Sequence, residues 1–146
     1  MPDLLCGSNA FSTSLAARHC HRLQVLQNRG ARVVFGRPPW TSAHDLLERL
    51  SLYRVAEVHK QKLAFLAWRC RYGQASPELQ VLLLPACGRS TRLDSGMGLC
   101  LPPARSKSGK GTFAFQGALC WNNLPSSIRS ISVPRQFRAA AVPFLL

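Results

Sequence analysis

Acidic side chains are what this sequence lacks most: six Asp and Glu stand against nineteen Lys and Arg in 146 residues. No two acids are adjacent, so the Asp-Asp pair on which a polymerase would hold its metal ions is missing. Asp45 and Glu48 form one pair at helical spacing, and a position near a helix start accounts for them. No catalytic residues, no metal and no cofactor are expected. Paired cysteine motifs are missing too. Cys6, Cys20, Cys70, Cys87, Cys100 and Cys120 are spread without a C-x-x-C, which fits reduced intracellular thiols better than a zinc or disulfide framework. His19-Cys20-His21 cannot converge on one ion, because successive helical residues point about 100° apart. The longest apolar run, Val81 to Ala86, is far too short for a bilayer, and the N-terminus has no basic leader. The chain is therefore expected to be nuclear or cytoplasmic and not secreted, with neither a membrane nor a small molecule as partner.

What the sequence has in excess is positive charge. The formal balance is +13 and the pI is about 10.8, above the value of about 9 that marks a nucleic-acid footprint. Residues 15–73 hold eleven basic and three acidic residues, and residues 74–146 hold eight and two. Both halves are basic, and the charges are interleaved with apolar residues, which points to folded faces that display charge.

The spacing of apolar residues predicts a mainly α protein: a small helical domain with one short β-hairpin and a disordered N-terminus over 1–14. Residues 15–146 read as a single domain, with a helical part over 15–84, a loop over 85–98, and a hairpin and C-terminal helices over 99–146. The longest helix is expected over Arg54 to Gly73, closed by the glycine. Its apolar arc (Val55, Ala56, Leu63, Leu66, Ala67 and Cys70, flanked by Val58, Phe65 and Tyr72) spans roughly 220°, wider than one surface helix needs. Lys62 and Arg69 interrupt that arc as a basic ridge whose long stems can lie along apolar surface. His59 on the same helix reads as a core histidine.

From Leu15 to Phe35 a basic amphipathic helix is expected. Leu15, Leu23, Leu26, Val33 and Val34 share one side, and Arg18, Arg22, Arg29 and Arg32 the next. Gly30 costs about 1 kcal/mol there relative to alanine, so it either permits close packing or weakens the helix. Ser42 and Asp45 have the form of a capping box for a short helix. Ser76-Pro77-Glu78 opens another, with Leu79, Leu82 and Leu83 directed inward. Leu99 to Arg105 and Thr112 to Phe115 suit the two strands of the hairpin, joined by the flexible basic turn SKSGKG at 106–111. That turn fails the spacing of a Walker phosphate loop, which leaves Lys107 and Lys110 as contacts to backbone phosphates. Gln116 to Asn123 and Ser132 to Ala141 are expected to be the last helices.

Two blocks carry a family resemblance. The first is LQVLQNRGARVVFGRPPWTSAHDLLERL, from Leu23 to Leu50, followed by the long helix and YGQASPEL. The second runs from Arg89 to Phe137 through RSTRL, LPPARSKSGKGTFAFQGALCWNNLPSSIRS and SVPRQF. Together they resemble the region that follows the polymerase core in non-LTR (LINE-type) retrotransposon reverse transcriptases, from the thumb towards the C-terminus. The resemblance covers about residues 20 to 140 and departs at Gly30, where that family has alanine. It implies a parent RNA-directed DNA polymerase with an N-terminal endonuclease, and neither catalytic part is in this chain, which reads as a truncated or decayed open reading frame. By residue it marks Gln27, Asn28, Arg29 and Arg32 as a basic thumb-side helix, and Trp121, Asn122, Leu124 and Pro125 as a packing signature with Trp121 as core anchor.

The expected function is a non-catalytic segment of a transposable element's reverse transcriptase that binds RNA or DNA backbone. Its expected contacts are Arg18, Arg22, Arg29, Arg32, Lys62, Arg69, Lys107 and Lys110, with the missing polymerase core as second partner. The alternative is an inert structural remnant with no activity of its own.

Overall fold

A computed structural model describes residues 17–86 and 97–145. The expected disorder over 1–14 and most of the 85–98 loop fall outside those residues. The described chain is mainly helical: α1 (Ala17–Val34), α2 (His44–Arg49), α3 (Val55–Arg71), α4 (Pro77–Val81), α5 (Lys107–Lys110), α6 (Phe113–Asn122), α7 (Ser126–Arg129) and α8 (Pro134–Leu145). None of these helices is long and apolar enough to cross a membrane. The described residues group into two compact units, an N-terminal one within Leu15–Val58 and a C-terminal one within His59–Leu146.

In the N-terminal unit α1 runs unbroken through Gly30. It closes at Gly36, whose φ of 56° lets the Gly36 N–H reach Val33 O and the Arg37 N–H reach Arg32 O. α2 packs against α1, so that Ala31, Leu46 and Leu47 form a small core bordered by Phe35, Leu50 and Leu52. The capping box does not form. Ala43, already helical, stands at the N-cap without a side-chain bond, and Asp45 serves only as an acid in the first turn. α2 ends in the same backbone closure as α1, but on Ser51 at φ 52°, where Leu52 N bonds to Leu47 O.

Of the described members of the apolar side expected of α1, only Leu23 is half-buried. Leu26, Val33 and Val34 are exposed, and the inner side carries Ala31 with Gln24, Gln27 and Asn28. The amides explain the rotation. Gln24 Oε1 accepts from the Val55 N–H, Gln27 Nε2 donates to Tyr53 O, and Gln24 Nε2 donates to Gln27 and Asn28. Two of the orphan backbone groups around the start of α3 are thereby satisfied, and Glu57 accepts from the Arg54 N–H to close a third.

The C-terminal unit is built on α3, which ends at Gly73 (φ 68°) as the sequence implies. Its deepest residues are Leu63, Ala64, Ala67, Trp68 and Cys70, whereas Val55 and Leu66, near the middle of the expected arc, are half-buried. Trp68, left out of that arc, is the centre of the core. Its ring stacks on Phe65 at 5.6 Å and on Phe137 at 5.7 Å, and Phe137 stacks in turn on Trp121 at 6.1 Å. Each polar tip finds a carbonyl: Trp68 Nε1 donates to Ile131 O, Trp121 Nε1 to Met97 O, and the Tyr72 hydroxyl to Arg129 O. Of the leucines expected to be directed inward in and after α4, Leu83 is buried and Leu79 packs on the core, but Leu82 is exposed.

The hairpin expected over 99–115 is absent, and the only β pairing among the described residues is a bridge between Pro85 and Leu99. Ala86 N bonds to Gly98 O and Cys100 N to Leu84 O, so residues 84–86 supply the partner. On its other side Leu99 meets a side chain in place of a strand: its N–H donates to Asn122 Oδ1 and its carbonyl accepts from Asn122 Nδ2. Thr112 to Phe115 is no return strand, because Thr112 takes the N-cap conformation and α6 begins at Phe113. Gly117 lies one turn on from Phe113, and a Cβ there would stand 3.0 Å from the Phe113 ring. α8 continues past Ala141 to Leu145, with Pro143 inside it.

Candidate nucleic-acid interface

On α1, Arg22, Leu26, Arg29 and Val33 follow one another at steps of four, three and four residues, which sets them in one line along the helix. All four are exposed. The helix contains no acid, and among the described residues neither Arg22 nor Arg29 forms an ion pair. Two guanidinium groups about 10 Å apart along the axis are thus offered to solvent with aliphatic side chains between them. Arg18 lies in the first turn of α1, and its side chain is outside those described. Arg32 has a local partner. It is half-buried, and its Nε donates to Thr41 O at 2.9 Å, folding the segment after α1 back on the helix.

In the C-terminal unit the basic positions differ from one another. Arg69 donates through Nε and Nη2 to Gln74 O at 3.1 and 2.8 Å, so it pins the segment that follows α3. Lys62 is half-buried on α3. Burial, and secondarily the Lys62 charge, holds His59 below the usual imidazole range. Lys107 and Lys110 are exposed on α5, but SKSGKG is a closed helical turn and not an open loop. Gly109 N donates to Ser106 Oγ, Lys110 N to Ser106 O, Gly111 N to Lys107 O and Thr112 N to Gly109 O. No backbone N–H from 109 to 112 is left to cradle a phosphate. The structure therefore brings Arg22 together with Arg29, and Lys107 with Lys110, each pair within its own unit.

The residues of the WNNLP block hold the fold. Trp121 and Leu124 are buried, Asn122 completes the Leu99 pairing, and Pro125 precedes α7. Among the described cysteines, Cys20, Cys70, Cys100 and Cys120 are free thiols. Burial pushes Cys120 up to about 11 against the opposing charge of Lys60, and raises Cys70 as well. Both thiols stay protonated near neutrality and are poor nucleophiles. No three His, Cys, Asp or Glu side chains gather into a metal-sized cluster among the described residues.

No family model, curated protein or solved structure matches this chain. The functional reading rests on its own residues.

Two residues that sequence reasoning passed over adjoin the arginine line in the sequence. Arg37 and Trp40 lie in the turn after α1, both exposed. The signal was in the sequence: residues 17–43 contain five arginines and no acid, and Trp40 follows two prolines with no apolar neighbour beside it.

Proposed function

We propose that this chain is a non-catalytic nucleic-acid-binding segment of a non-LTR retrotransposon reverse transcriptase, engaging RNA or DNA through the phosphate backbone. The observation that supports it most is the α1 line. Gln24, Gln27, Asn28 and Arg32 of the LQVLQNRGAR stretch are engaged within the N-terminal unit, while Arg22 and Arg29 face solvent without a counter-charge. Arginines so placed suit phosphates, whose oxygens accept the guanidinium fork, and nothing in the line reads base edges. The reading includes the parent's polymerase core as a second partner and assigns no catalytic step to this chain.

The test is salt dependence. The full chain should bind RNA and nicked duplex at low salt and lose affinity steeply towards physiological salt, because each neutralised phosphate releases counterions. Changing His19 and His21 to alanine should leave the slope as it is. Affinity indifferent to salt would overturn the proposal.

The second reading, an inert structural remnant, is favoured by the exposed Leu26, Val33 and Val34 beside so small a core. It requires non-cooperative thermal unfolding and a weak near-UV circular dichroism signal, so a sharp transition counts against it.

A further inference from the structure

Trp40 is the most exposed large apolar side chain among the described residues, with 85% of its surface open. Leaving an indole in water forgoes a large hydrophobic gain, so its setting matters. The ring does not sit on slack chain. Thr41 N bonds to Pro38 O at 3.1 Å, closing a turn with Pro39 and Trp40 as its central residues, and Pro38 and Pro39 fix two backbone angles. Arg32 clamps the exit through Thr41 O, while the Arg37 N–H bonds back to Arg32 O across the Gly36 reversal. A rigid turn at the C-terminal end of α1 thus holds an indole outward in a segment with five arginines and no acid.

We infer that Trp40 is a base-stacking platform and that the preferred ligand is single-stranded nucleic acid, with Arg22, Arg29 and Arg37 on its phosphates. The inference rests on the nucleic-acid reading above and sharpens it to one substrate class. A partner that satisfies this surface must be polyanionic and present flat apolar rings together, and unpaired nucleotides do both. In a duplex the base faces are hidden in the stack, so an outward indole has nothing to cover. Stacking on a pre-set ring orders little of the protein, and every base has a face to offer, so the preference carries no sequence code.

The chain provides its own reporter. Trp68 and Trp121 are fully buried with their ring N–H groups bonded to carbonyls, so the tryptophan emission open to acrylamide belongs to Trp40. The experiment titrates the full chain with a labelled oligo-uridylate and with a blunt duplex of equal length, using wild type, Trp40→Ala, Trp40→Phe and Arg22→Glu/Arg29→Glu. Near-UV circular dichroism checks that each variant folds. Single strand should quench the accessible emission and protect it from acrylamide, and duplex should not. Trp40→Ala should weaken single-strand binding by about 5- to 150-fold with duplex binding unchanged, and Trp40→Phe should retain most of the affinity. Single-strand affinity unaltered by Trp40→Ala, with the arginine pair still required, would overturn the stacking role and leave the phosphate-binding proposal standing. A Trp40→Ala effect confined to self-association in sedimentation would overturn it too, making the ring a protein contact. Failure of wild type to bind either nucleic acid would remove both.

Discussion

The two units solve opposite problems. In the C-terminal unit a cluster of twelve buried residues includes Trp68, Phe137 and Trp121, stacked in a run that the half-buried Phe65 extends, and basic side chains serve the fold around it: Arg69 pins the segment after α3, and the Arg138 guanidinium lies 3.8 Å over the Phe65 ring. In the N-terminal unit only Ala31, Leu46 and Leu47 form the buried cluster, α1 turns amides inward and arginines and aliphatics outward, and the turn after it exposes an indole. Where packing is rich, positive charge supports structure. Where packing is thin, the surface carries what a folded interior would otherwise have absorbed, and that surface is the better candidate for function.

The largest effect should come from Trp121→Ala, which removes a fully buried indole and orphans Met97 O, at a cost of about 3–5 kcal/mol. Amide exchange should lose protection through α6, α7 and α8, and a loss confined to α1 and α2 would break the contrast between the units. Leu47→Ala should cost less, about 2–3 kcal/mol, since a sparse site collapses more readily. Here the lost protection should lie in α1 and α2, and equal loss across both units would refute their separate cores.

Acid should weaken the C-terminal unit before the N-terminal one. Burial and Lys62 lower the His59 pKa in the folded state, so from 6.5 downward the unfolded chain takes up a proton that the folded chain resists. That contribution is complete above 6.5 and is lost as pH falls through the folded value. His59→Gln should flatten the slope of denaturation midpoint against pH in that window, and an unchanged slope would rule His59 out as its cause. The smallest effect concerns Ser51, which holds a left-handed conformation where α1 and α3 use glycine. Ser51→Gly should stabilise the N-terminal unit by roughly 0.5–1 kcal/mol, read as a small rise in thermal midpoint.

Much of this was legible in the sequence, for physical reasons that can be named. The α3 span and its Gly73 stop follow from apolar content and cap chemistry, which are local. Trp121 was readable as core because a large ring among leucines and phenylalanines is cheapest buried. The inward side of α1 was not, since hydrophobic spacing cannot foresee that Gln24 and Gln27 would be drawn to the backbone around α3. The hairpin failed similarly: Asn122 takes the place of a strand beside Leu99, a long-range pairing that no alternation in 99–115 encodes. At the candidate site periodicity sets Arg22 and Arg29 in one line, whereas the carbonyl partners of Arg32 and Arg69 are contacts of the folded chain that no spacing encodes.

The central claim is that the α1 arginine line contacts phosphates, and the salt slope of binding measures it most directly. Log affinity for single-stranded RNA plotted against log salt should fall by about 0.7 per phosphate contact. In Arg22→Glu/Arg29→Glu the slope should become shallower by about 1.4, with affinity at low salt sharply reduced. A double variant with the wild-type slope and affinity would contradict the account.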